Sequence, residues 1–180
     1  EIIGFIHLIN NQLYQSKYLP IFKRLGNHSV FALIALIVIG GATRVMEAGL
    51  ACPDWPLCYG SFLPFGHMNL RVFLEWFHRL DAFLVGILIL LKFVLSIIWK
   101  SEIPNWLPKT YSLLLFLVIV QGSFGALTVI NLLDSYIVTG HLLIAFLLLI
   151  TTISINQNLE NKDIKEQLTW WRLLLVIPLL

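Results

Sequence analysis

Four long apolar runs organise this chain. Over residues 30–47, 70–99, 108–130 and 135–155, apolar side chains follow one another with few polar interruptions. A helix that crosses a bilayer needs about 20 such residues, so each run predicts a transmembrane helix. The second is long enough to extend beyond the bilayer. Pro108 stands near the first position of the third helix, where its missing N–H does no harm. A fifth apolar run starts at Trp170 and stops at Leu180. It is too short to cross and reads as the start of a further span. The predicted fold is an all-α membrane protein, a four-helix transmembrane bundle over residues 28–156. A cytoplasmic segment, 1–27, precedes it, an outer loop, 49–69, interrupts it, and a cytoplasmic loop with the start of a fifth span, 157–180, follows it.

Composition agrees with that pattern. Hydrophobic residues make up 58% of the chain and charged residues 12%, against about 25% charged in a soluble domain. The formal net charge of +2 gives no reason to expect nucleic acid as a partner. Placement of the basic residues says more than their sum. Lys17, Lys23 and Arg24 precede the first span, Lys100 and Lys109 flank the link between the second and third, and Lys162 and Lys165 follow the fourth. The link at 131–134 has neither Lys nor Arg. Positive charge stays on the cytoplasmic side, so the N-terminus is expected to be cytoplasmic and loop 49–69 external.

His78 and His141 stand inside spans two and four and open matching stretches, HRLDAFL and HLLIAFL. Leu80, Ala82, Phe83 and Leu84 recur as Leu143, Ala145, Phe146 and Leu147. At 1.5 Å per residue the two imidazoles lie roughly 12 and 9 Å below the outer face, at similar depth. The helix pairs one–two and three–four therefore read as a parallel repeat about an axis along the membrane normal. A polar, metal-binding side chain in lipid is costly and usually functional. Paired imidazoles in a bundle point to a haem iron. Gly41-Ala42 and Gly125-Ala126 hold similar places in the repeat, but His78 follows Gly41 by 37 residues and His141 follows Gly125 by 16. The longer interval contains the outer loop, present in one copy only. Gly40-Gly41 and Gly122-x-x-Gly125 allow close approach of helices or of a flat macrocycle.

The remaining polar positions leave alternatives open. Cys52 and Cys58 enclose five residues, two of them proline. In an oxidising compartment they read as a disulfide, either a structural staple or a redox-active pair. A zinc site is disfavoured by the spacing and by the absence of a second pair. Glu75 precedes His78 by three residues, on the same helix face. It is either an interfacial acid paired with Arg79 or, better, Arg71, or a carboxylate beside a haem edge that takes a proton. Arg44 and Arg79 either snorkel to headgroups or clamp haem propionates. Asp81 reads as a structural polar contact and Lys92 as a side chain snorkelling to the cytoplasmic face. His7, His28 and His67 are assigned to no metal.

Taken together, the stretches GGATRVMEAGLACPDWPLCYG (40–60), EWFHRLDA (75–82), QGSFGALTV (121–129) and the His141 helix resemble haem A synthase. The resemblance implies eight spans in two similar four-helix halves, of which this chain covers the N-terminal one. It implies oxidation of a methyl group of haem O to the formyl group of haem A for terminal oxidases. His78 and His141 would face the substrate iron, with Glu75 as the outer carboxylate in the oxidation and Cys52 and Cys58 as the outer-loop cysteine pair. A haem b cofactor is expected in the C-terminal half. Haem O synthase, oxidase-assembly proteins and further copies of the chain are the expected partners, in a bacterial plasma membrane or equivalent organelle membrane. The competing reading is a bis-histidine b-type cytochrome carrying electrons, which accounts for the histidines but not for Glu75 or the cysteine loop.

Overall fold

The computed structural model describes residues 16–160. His7, Lys162, Lys165 and the fifth apolar run lie outside the described residues. Within them the chain forms four long helices, α1 Leu19–Val45, α2 Leu70–Ile98, α3 Trp106–Ile130 and α4 Ser135–Glu160. All four are long and apolar enough to cross a membrane. A 3₁₀ turn, Phe65–His67, leads into α2.

Local chemistry sets where each helix starts. Pro20 occupies the first turn of α1, so the helix begins at Leu19 rather than near residue 30. Lys23 and Arg24 therefore ride on its first turns. Asn69 caps α2, its Oδ1 accepting from Arg71 N at 3.0 Å and Val72 N at 3.1 Å. Asp134 does the same for α4, accepting from Tyr136 N at 2.9 Å. Helix α3 begins at Trp106, which moves Pro108 from the expected first position to the third. The first four N–H groups of a helix have no intrahelical partner, so proline costs nothing there either.

The helices pack in ring order, α1 against α2 and α4, and α3 against α2 and α4. Lipid tails are as apolar as leucine, so hydrophobicity does not drive this packing. Close side-chain fit and internal polar pairs do. The core lies in the half of the bundle remote from loop 49–69, where Phe22, Leu33, Ile89, Leu107, Leu114 and Ile155 are buried. Rings close that end. Tyr18 stacks on Trp99 at 4.2 Å, and Phe22 stacks on Tyr111 at 5.6 Å.

Lys92 does not snorkel. Its side chain is fully buried in this core, donates to Ser29 Oγ at 2.7 Å and lies 5.4 Å from the Tyr111 ring centroid. The position explains the difference. Lys92 follows Ile89 and precedes Ser96 on the same inward face of α2, so its stem runs into the bundle and meets a hydroxyl there. Across the bundle Asn156 donates to Asn27 and packs against Gly26.

Candidate functional site

The loop end of the bundle is not packed. Buried residues stop at Leu33 on α1 until Thr43, and on α2 none lies between Glu75 and Val85. On α3 none follows Leu114, and on α4 none precedes Leu148. Protein interiors are close-packed, so accessible inward faces at this level leave room between the four helices.

The floor of the gap is Leu33, Val85, Leu114 and Leu148. Seven residues is two helical turns and returns to nearly the same face, about 10 Å along the axis. Seven residues from each floor residue, toward the loop end, stand Gly40, His78, Gln121 and His141. They form one inward layer. A Cβ on Gly40 would come within 2.9 Å of the His78 ring, and one on Gly125 within 3.3 Å of the His141 ring. Each histidine thus rests on a glycine of the preceding helix. By contact the partner of His78 is Gly40, not the Gly41 of the sequence repeat, which has nothing within 4 Å. In each ring Nδ1 is buried without a hydrogen-bond partner among the described residues. Gln121 Nε2 lies 3.4 Å from His141 Nε2. Gln121 went unassigned from sequence, although its spacing from Leu114 was there to be counted.

Above this layer the disulfide loop closes the bundle. Cys52 and Cys58 are joined, with Cα atoms 4.8 Å apart. Glu75, buried, accepts from Cys52 N at 2.7 Å on one oxygen and from Arg79 Nη2 at 2.5 Å on the other. Arg79 Nη1 donates to the carbonyls of Asp54 at 2.5 Å and Leu57 at 2.6 Å. The partner of Glu75 is therefore Arg79, not Arg71, which lies 3.9 Å from Glu47 on the surface. The loop's turned-in carbonyls decide this, because they draw the guanidinium over Glu75. Asp54 accepts from Tyr59 N and Gly60 N. The Gly60 N–H, foremost, holds its carboxyl below the usual carboxylate range.

The other candidates lie elsewhere. Arg44, at the loop end of α1, makes no ion pair among the described residues. His28 is exposed, and His67 stacks on Tyr59 at 4.0 Å. Asp81 is partly buried one turn below His78.

Two imidazoles do not hold a bare metal ion, and no cluster of three or more His, Cys, Asp or Glu suited to one occurs among the described residues. A metal macrocycle needs only axial ligands. The end of the buried core at this level, the two imidazoles and the glycines beside them fit such a flat group.

Comparison with known proteins points the same way. The family described as cytochrome oxidase assembly protein matches residues 23–179. Heme A synthase of Shewanella oneidensis is 33% identical over 136 residues, 67% of this chain and 40% of that protein. The chain belongs to the haem A synthase family. Heme A synthase of Bacillus pumilus is 30% identical over 105 residues, 57% of this chain and 33% of that protein. A Protoheme IX farnesyltransferase of Halobacterium salinarum is 29% identical over 103 residues, 57% of this chain and 22% of that protein. The chain spans about two fifths or less of the length of these relatives. No solved structure matches it. With four membrane-crossing helices and this family, the chain is an integral membrane protein.

Proposed function

We propose that this bundle is the substrate half of a haem A synthase, which oxidises a methyl group of haem O to the formyl group of haem A. One observation carries the reading: two half-buried imidazoles, on α2 and α4, share the level at which the buried core of the bundle stops. His78 and His141 would hold the iron, and Gly40 and Gly125 give each ring its place. Arg44 is the cation open to a propionate, while Arg79 is engaged by Glu75 and the loop. The bound haem supplies the ring methyl group to be oxidised and the iron that fixes its position. Glu75 holds the loop above the site. Each of its oxygens keeps a second lone pair, so it could accept a proton released when an electron acceptor from outside this chain oxidises the methyl group, while still bound to Arg79 and Cys52.

In this reading the loop end faces the outside and the N-terminus the cytoplasm. The basic residues at the opposite end support that orientation. Reporter fusions near Asn105 should read cytoplasmic and those near Asp134 external. A haem b cofactor belongs to the remainder of a full-length member, and haem O synthase and oxidase-assembly proteins are the partners. The likeness to a Protoheme IX farnesyltransferase supports a haem substrate. Supplying the full-length protein with haem O and extracting its pigment tests the activity. Haem A in the extract is the expected result. A bis-imidazole spectrum with haem left unconverted would favour the b-type cytochrome.

A further inference from the structure

Gln121 completes the histidine layer, and the chemistry proposed above does not use it. Its amide nitrogen meets Nε2 of His141 at 3.4 Å, while its carbonyl oxygen is buried without a partner among the described residues. Its counterpart on α1, four residues before the glycine that supports the ring, is Leu36, whose side chain offers no hydrogen bond. His78 accordingly has no side-chain hydrogen-bond partner among the described residues, so the two imidazoles are not equivalent.

A neutral imidazole has one N–H and one lone pair. If the amide N–H of Gln121 donates to Nε2, it occupies the lone pair there. If the amide carbonyl faces Nε2 instead, that nitrogen must carry the proton. Either way Nε2 is closed to a metal until Gln121 withdraws. We propose that Gln121 is a positioning residue that holds Nε2 of His141 in competition with haem iron. His141 is then the weaker, exchangeable axial ligand and His78 the firm one. The inference rests on the haem reading above and deepens it. A haem that enters as substrate and leaves as product needs one ligand that lets go, and a resident cofactor does not.

The test loads the chain with haem in lipid nanodiscs and follows haem transfer to apomyoglobin. Gln121→Leu removes the amide at similar bulk, and Gln121→Ala removes amide and bulk together. Both should lose haem about fivefold more slowly than the parent, the factor equivalent to one net hydrogen bond of about 1 kcal/mol. The low-spin bis-imidazole spectrum should stay unchanged. His78→Ala should lose haem faster than His141→Ala. Release at or above the parent rate in both Gln121 variants overturns the inference, because Gln121 then leaves the ligand nitrogen alone or supports it. A parent chain with no bis-imidazole spectrum overturns the haem reading itself, and this inference with it.

Discussion

In the proposed reading Glu75 does two jobs with one carboxylate. Its bonds to Cys52 N and Arg79 anchor the disulfide loop, and its place one turn above His78 puts it at the edge of the site. Glu75→Gln keeps the shape, removes the charge and leaves Arg79 without its counter-ion. Haem should still bind, conversion of haem O should fall at least tenfold, and the disulfide should reduce faster as the loop loosens. Normal conversion with a loosened loop would make Glu75 an anchor and nothing more. Arg79→Leu strands a buried carboxylate, which costs about 3 kcal/mol, and a lower unfolding midpoint should show it. The glycines give a second contrast between neighbours. Gly40→Ala drives a methyl group to 2.9 Å from the His78 ring, whereas Gly41→Ala meets nothing within 4 Å. Titration of haem into each variant should find affinity reduced for Gly40→Ala and unchanged for Gly41→Ala. Equal affinities would mean that the ring has room to move.

At the scale of elements, the loop and the buried lysine show what hydrophobic pattern leaves undetermined. The apolar runs mark four helices, but α1 extends to Leu19 because Pro20 can start a helix and Phe22 finds aromatic partners. Neither signal belongs to a hydropathy window. For Lys92, the same pattern is compatible with snorkelling or with burial, and only the hydroxyl of Ser29 on another helix decides between them. Replacing a buried charge by an apolar side chain is often neutral or stabilising, while removing its partner is not. Lys92→Met should therefore hold or raise the midpoint of thermal unfolding, and Ser29→Ala should lower it by an amount equivalent to about 1–3 kcal/mol. The reverse order would mean that the amine itself is required. The loop carries its own pH response. Asp54 is depressed by the Gly60 N–H, so its stabilising contribution is complete above the ordinary carboxylate value and is lost as pH falls through the lower folded one. The amide resonances of Tyr59 and Gly60 should shift together below about pH 4, and Asp54→Asn should abolish the shift.

For the molecule as a whole, the repeat was legible and its interior was not. Phe83, Phe146, Leu84 and Leu147, the matched residues behind each histidine, are all exposed on the bundle's outer surface. They advertise two equivalent helices without saying what faces inward. The inward layer is visible only once the floor is known, because Gly40, His78, Gln121 and His141 are defined by their spacing from Leu33, Val85, Leu114 and Leu148. That division between a packed half and an unpacked half sets a prediction about dynamics. Backbone amides are protected where side chains pack and exchange where they do not. In nanodiscs without haem, α3 beyond Leu114 and α4 before Leu148 should exchange faster than the ends of the same helices around Tyr111 and Ile155. Lipid shields both ends alike, so the contrast reports the interior. A group that binds only the folded chain stabilises it by roughly 2.7 kcal/mol at a hundredfold excess over its dissociation constant. Haem should therefore slow exchange in the loop-end segments and leave the far half little changed. Protection already uniform along α3 and α4 without haem would mean that the gap between the histidines is closed, and the haem site would lose its main structural support.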